Sequence, residues 1–309
     1  MFRPKGVIAA MLTPFGADRR VNEKETRRLV EFGIKASLDG IFPVSSVGEA
    51  LHMNFEEKCR CMEIVADQAA GRIPILPGVA APNPYEAADL AKFASSIGCP
   101  AVVASPPYYF KPDDSMVQRF FETIAEKSGV PVILYNIPLF SQPIAYETIR
   151  KLCRNKLVAG IKDSSGSMVD FLHFLDIIRE EDSDISVLTG REESLVPSLL
   201  MGGAGCVTAS ACIFPEIMVS AYKAWQNKEI EKAVALQKAI LPLVRKAMFG
   251  APFPVAFKAA LEIRGFEMGE PLLPLSDKGA RDLAGLTTEL SPMMESALSP
   301  WDGAVVNAR

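Results

Sequence analysis

Short apolar runs punctuate the chain at residues 6–11, 40–44, 73–78, 101–105, 131–135, 158–162, 185–189 and 205–209. Several are continuously apolar, the pattern of parallel strands covered on both faces, not the alternation of a half-exposed sheet. Amphipathic helical segments separate them. Asn22 with Glu25, Asn54 with Glu57 and Asn83 with Glu86 resemble capping boxes in which Asn replaces the usual Ser or Thr. Behind the second, Met62, Val65, Ala66 and Ala69 form an apolar stripe at helical spacing. Gly98, Gly129 and Gly160 punctuate stretches between helices and strands. Eight strand–helix units in roughly two hundred residues predict an α/β fold of the closed (β/α)₈ TIM-barrel type. The alternative, an open doubly wound sheet, lacks here its Gly-rich dinucleotide fingerprint.

Beyond about residue 210 the strand pattern stops. Segments 216–227, 229–249 and 254–263 read as helices, followed by a Pro-rich stretch through Pro271 and Pro274 and a short helix from Asp277. The expected organisation is a barrel over 1–212, a helical C-terminal extension over 213–298 and a weakly ordered tail over 299–309.

Composition narrows the chemistry. Of 309 residues, 49% are hydrophobic and 23% charged, with a formal net charge of -4, so no basic excess exists to hold a nucleic-acid backbone. No apolar run approaches the roughly 20 residues a membrane-spanning helix needs. The stretch after Met1-Phe2-Arg3-Pro4-Lys5 stops at Thr13-Pro14 without a cleavage-like site, so a soluble cytoplasmic protein is expected. The six cysteines, Cys59, Cys61, Cys99, Cys153, Cys206 and Cys212, form no CxxC pair and read as buried thiols. With only His52 and His173 available, neither a Ser-His-Asp relay nor a histidine metal site has much to draw on. Acid–base work falls to Lys, Tyr, Ser or carboxylates.

In such a barrel the reactive side chains project from the C-terminal ends of the strands. Four runs end suggestively: in Ser45-Ser46-Val47-Gly48-Glu49, Ser105-Pro106-Pro107-Tyr108-Tyr109, Tyr135-Asn136-Ile137-Pro138 and Gly160-Ile161-Lys162-Asp163. A lysine at the end of an apolar strand faces desolvation, which disfavours the ammonium form, and a neutral amine is what attack on a ketone requires. The plain alternative for Lys162 is a strand-end lysine reaching water or pairing with Asp163. Tyr135, ending the adjacent strand, can relay protons, or else is a packing aromatic whose hydroxyl finds a backbone partner. Backbone amides around Ser46 and Val47 can grip a carboxylate, and the Ser46 hydroxyl can extend a proton chain; a plain polar turn is the alternative.

Taken together and in this order, Gly-Glu, Pro-Tyr-Tyr, Tyr-Asn-Ile-Pro and Gly-Ile-Lys-Asp resemble the dihydrodipicolinate synthase / N-acetylneuraminate lyase family of class I, Schiff-base pyruvate aldolases. Leu12-Thr13-Pro14-Phe15 and Gly202-Gly203-Ala204-Gly205 are also similar to that family, and the likeness spans about residues 5 to 290. The resemblance implies that Lys162 forms the Schiff base, that Tyr135 is the catalytic tyrosine, and that Ser46 is the first hydroxyl of the proton relay. It also implies that Tyr109 is lent to the active site of a neighbouring subunit, so that the protein is a homo-oligomer, a dimer or a dimer of dimers. Val47, Gly190, Glu192, Glu193 and Val207 take the positions of substrate contacts.

The sequence departs from that pattern in ways that bear on substrate. Val47 stands where family members often carry a second Thr, removing one hydroxyl contact to the substrate carboxylate. Leu139-Phe140-Ser141-Gln142 has no arginine where dihydrodipicolinate synthases typically place one for a second, carboxylate-bearing substrate, and presents a less charged wall. Gly190-Arg191-Glu192-Glu193 matches the region that binds sugar hydroxyls in the sialic-acid lyases; its carboxylates can accept hydroxyl hydrogen bonds, or simply suit the first turn of a helix, while Arg191 can meet a distal carboxylate. Ala209 replaces a serine common in those lyases. The expected reaction is therefore reversible cleavage of a 2-oxo-3-deoxy sugar acid, or a related 4-hydroxy-2-oxo acid, to pyruvate and an aldehyde. No metal or organic cofactor is needed, because the lysine imine is itself the electron sink. The alternatives are a dehydratase or hydratase-aldolase working through the same enamine, dihydrodipicolinate synthase or N-acetylneuraminate lyase proper, and a non-catalytic barrel that binds 2-oxo acids.

Overall fold

The computed structural model describes residues 2–301. Seven parallel strands form one sheet: β1 (Gly6–Ala10), β2 (Gly40–Phe42), β3 (Val102–Ala104), β4 (Val132–Asn136), β5 (Val158–Asp163), β6 (Ser186–Thr189) and β7 (Gly205–Thr208). Their order is β2-β1-β7-β6-β5-β4-β3. The two ends of this sheet are joined by the run expected as a further strand at 73–78. That run pairs only at isolated points, Ile75 with Ile41 and Gly78 with Val103. Its sequence explains the difference: Pro74 and Pro77 supply no amide donor and so cannot complete a ladder. Their carbonyls still accept from Ile41 and Val103, at 3.1 and 2.9 Å, and the sheet closes into a TIM barrel.

Helices surround the barrel: α1 (Glu23–Lys35), α2 (Phe55–Ala69), α3 (Pro84–Ser96), α4 (Asp114–Ser128), α5 (Tyr146–Leu152), α6 (Met168–Glu180) and α7 (Leu195–Leu200). The expected caps form on the asparagine side alone. Asn22 and Asn54 accept from the amides of Glu25 and Glu57, while Asn83 accepts from Tyr85 instead of Glu86. The glutamates do not reach back. Glu25 bonds Arg28 and the Glu267 amide, and Glu57 takes the Val21 amide, so both carboxylates join separate parts of the chain.

The remaining helices are α8 (Ser210–Ile213), α9 (Pro215–Gln226), α10 (Ile230–Phe249), α11 (Val255–Ile263) and α12 (Asp277–Leu298). The last is not short. Its 22 residues follow an apolar stripe through buried Leu286, Leu290, Met294 and Leu298, which carries the helix past the internal Pro292. Of the expected tail, Ser299–Trp301 form a single 3₁₀ turn, and 302–309 lie outside the described residues. No helix among the described residues is long and apolar enough to cross a membrane.

Candidate active site

Register places the chemistry. β4 and β5 align Tyr135 with Lys162 and Asn136 with Asp163 at the C-terminal edge of the barrel. Lys162 is 3% exposed, and its Nζ stands 3.8 Å from the centre of the Tyr135 ring and 5.0 Å from that of Phe42. Asp163 does not pair with it. That carboxylate accepts from Asn136 Nδ2 at 2.7 Å, from the Ser165 amide at 3.1 Å and from the Ser165 hydroxyl at 2.9 Å. Burial pushes the Asp163 carboxyl above its ordinary range, and these hydrogen bonds oppose the shift. Asn136 returns the connection by accepting from Ile144, at 3.0 Å, which fixes the loop after β4.

Around the amine lies a cavity of about 60 Å³. Its floor and polar side are Tyr135, Lys162, Ser164, Gly190, Arg191 and Glu192. Ala10, Val47, Ile137, Val207 and Ala209 line it as well, and partly exposed Leu139, Phe140, Met248 and Phe253 form its mouth with buried Phe257 behind them. Phe253 stands between the other two rings of the mouth, 5.2 Å from Phe140 and 6.1 Å from Phe257. Gly190 matters sterically. A Cβ there would lie 1.9 Å from Ser164 Oγ and 3.0 Å from Lys162 Cε, so only glycine leaves room for the lysine stem.

Of the residues singled out by sequence, Lys162, Tyr135, Val47, Gly190, Glu192 and Val207 meet around this cavity. Ser46 sits half-buried in the turn beside Val47, outside the lining. Glu192 is buried and accepts from the Ser210 amide at 3.0 Å; burial pushes its carboxyl up, opposed by that bond. Glu193 faces away and holds Arg191 through two contacts, at 2.9 and 3.3 Å. Both acidic groups thus have partners within the fold. Tyr109 is not among the residues lining its own chain's cavity: it is 92% exposed, at φ +80°, with its ring edge-on to exposed Phe110 at 5.0 Å.

Sequence reading missed Ser164, two positions after the lysine, and the wall from the C-terminal helices. Phe253 and Phe257 lie four residues apart in a segment whose apolar pattern reads as ordinary helix core, and nothing local marks them as facing a site. Among the described residues, no three His, Cys, Asp or Glu side chains gather to hold a metal ion.

A barrel with an enclosed lysine beside a strand-end tyrosine has known counterparts. The dihydrodipicolinate synthetase family matches residues 3–290. The chain belongs to that family. A 4-hydroxy-tetrahydrodipicolinate synthase of Methanopyrus kandleri is 33% identical over 279 residues, 89% of this chain and 92% of that one. An uncharacterised DapA-like lyase of Pyrobaculum islandicum is 34% identical over 301 residues, 93% of this chain and 99% of its own. Among solved structures, YagE, a prophage protein of the dihydrodipicolinic acid synthase family from E. coli K12, was crystallised in complex with pyruvate. It superposes with a TM-score of 0.88 at 28% identity, covering 94% of this chain and 98% of its own. The protein is accordingly a Schiff-base pyruvate aldolase or lyase of the dihydrodipicolinate synthetase family.

Proposed function

We propose that this family member cleaves and forms a 4-hydroxy-2-oxo acid reversibly, with pyruvate and an aldehyde as the products. The supporting observation is Lys162: a buried amine at the floor of a small cavity, with no carboxylate in ion-pair reach among the described residues and the Tyr135 ring 3.8 Å away. The amine adds to the C2 ketone and water leaves, giving a protonated imine. Tyr135 accepts the proton of the 4-hydroxyl, the C3–C4 electron pair flows into the imine, and the aldehyde departs. Protonation of the enamine at C3 and hydrolysis release pyruvate and restore the amine. Ser46 and a neighbouring subunit's Tyr109 extend the proton path to solvent. At roughly 10–15 Å³ for each water-sized occupant, a cavity of about 60 Å³ suits the handful of heavy atoms in pyruvate, leaving the rest of the substrate at the mouth.

That mouth favours an apolar tail over the polyol of a 2-oxo-3-deoxy sugar acid. Leu139, Phe140, Met248, Phe253 and Phe257 line it, while Glu192 and Glu193, the groups suited to sugar hydroxyls, are engaged by Ser210 and Arg191. Hydration with aldol cleavage of an aromatic-substituted 2-oxo acid is the second reading, through the same enamine. Condensation with an acidic second substrate is less favoured, because 139–142 offers no arginine. Incubation with pyruvate and borohydride is expected to add a stable mass at Lys162, absent in Lys162→Ala. Wild-type protein left unmodified would sink the reading. Free pyruvate released from a panel of sugar-like and aryl-substituted 2-oxo acids then identifies the tail, and a retained carbon skeleton identifies a dehydratase.

A further inference from the structure

The Gly-Glu dipeptide after β2 has no part in the chemistry just described, yet it is among the most constrained places in the molecule. The turn 45–48 is bracketed by two residues in the left-handed region, Val44 at φ +54° and Glu49 at φ +61°. For a β-branched valine this is a costly conformation, which persists only where the surroundings over-determine it. Part of that hold comes from Met11, the residue after β1. Ser45 Oγ donates to the Met11 carbonyl at 2.8 Å, and a Cβ on Gly48 would lie 2.7 Å from the same oxygen.

The rest comes from the C-terminal extension. Glu49 is buried, and both carboxylate oxygens are used: Oε1 meets Lys258 Nζ at 2.9 Å, and Oε2 accepts from the Leu272 amide at 2.7 Å. Lys258, also buried, donates besides to the Glu270 carbonyl at 3.4 Å and lies 4.7 Å from the centre of the Phe15 ring. Its immediate neighbour in α11 is Phe257, which lines the cavity; two residues before Glu49 stands Val47, which lines it from the opposite element. One ion pair therefore ties together the turn after β2, the loop after β1 and the helix that walls the mouth.

We propose that Glu49 and Lys258 are positioning residues for the 2-oxo acid. Their buried pair holds the turn 45–49 in its strained form and so sets the Val47 amide and side chain at a fixed distance from the Phe257 wall. This rests on the Schiff-base reading of Lys162. A pair that only stabilised the fold would change how much protein is folded, not how tightly the folded protein takes pyruvate.

The test uses the double variant Glu49→Leu/Lys258→Met, which removes both charges together and so leaves neither one buried alone. In borohydride trapping with increasing pyruvate, half-saturation is expected to rise about tenfold, short of the roughly 10²-fold that a full 1 Å misplacement can cost, with the trapped fraction at saturation unchanged. Unchanged half-saturation in the folded double variant overturns the proposal, whether or not the trapped fraction falls. Should that variant fail to fold, Lys258→Arg replaces it: the charge opposite Glu49 is kept, so neither group is left buried alone, while the bulkier planar head displaces the turn, and half-saturation is expected to rise in the same direction. No rise there overturns the proposal equally. A wild type that gives no adduct refutes the Schiff-base reading and the positioning role with it, whereas normal wild-type trapping matched by the variants refutes the positioning role alone.

Discussion

Tyr135 and Lys162 are neighbours across a parallel pair of strands, so the distance between ring and amine is fixed by backbone hydrogen bonds and not by loop conformation. Removing the phenol while keeping the ring isolates its proton-transfer role. Tyr135→Phe is expected to lower kcat by about 10²–10⁴-fold, the usual worth of a positioned acid–base group, while borohydride trapping of pyruvate still occurs, more slowly. A kcat within twofold of wild type would remove Tyr135 from the mechanism. Gly190 tests the space around the amine. In Gly190→Ala the added methyl meets Ser164 Oγ, and the variant is expected to lose about 1–3 kcal/mol of stability by overpacking. Gly190→Ala/Ser164→Gly is expected to recover the melting temperature, and equal melting of the single and double variants would deny the contact. Lys162 and Tyr135 were legible because a charged or phenolic group ending an apolar run is unusual. Gly190 was placed only through the family resemblance and Ser164 not at all, since their closeness is created by the register of β5 and β6.

At the scale of elements, strand runs could be read directly because parallel strands covered on both faces need unbroken apolar stretches. The segment 73–78 misled for a definite reason: apolar content is a signal of burial, whereas a ladder also needs amide donors, and Pro74 and Pro77 remove them. The C-terminal helices were legible as helices but silent about function. Apolar residues four apart in α11 and just before it satisfy both a core and a pocket, and only the folded arrangement distinguishes Phe253, half-buried at the mouth, from Leu261, fully buried. If the α11 end forms the tail-binding wall, Phe253→Ala should reduce kcat/KM for an aryl-tailed substrate about tenfold, as expected for losing part of one aromatic contact. The value for a short-tailed 4-hydroxy-2-oxo acid should stay near that of wild type. Equal losses on both substrates would mean that the wall shapes the whole cavity, not the tail subsite.

At the scale of the whole molecule, the groups assigned to the proton path are divided between places on the chain. The cavity of one chain contains Lys162 and Tyr135 but not Tyr109, which stands 92% exposed beside Phe110, itself 80% exposed. Adjacent aromatic side chains this open to water are what an association surface would present, and the backbone at Tyr109 is left-handed, at φ +80°. If the ring serves a second subunit, two defects placed in different chains must compensate. Lys162→Ala chains lack the amine but can still lend Tyr109; Tyr109→Phe chains keep the amine but lend no hydroxyl. Each variant alone is expected to be strongly impaired in pyruvate release. After mixing under conditions that exchange subunits, the mixed pairs contain one site with an intact Lys162 and an intact Tyr109, and activity should rise well above the sum of the parents. In a statistical mixture of dimers half of the assemblies carry one such site, so recovery should approach about one quarter of wild-type activity per chain. Failure of activity to rise despite demonstrated exchange would show that Tyr109 serves no partner, and sedimentation of the wild type as a monomer would remove the arrangement at its root.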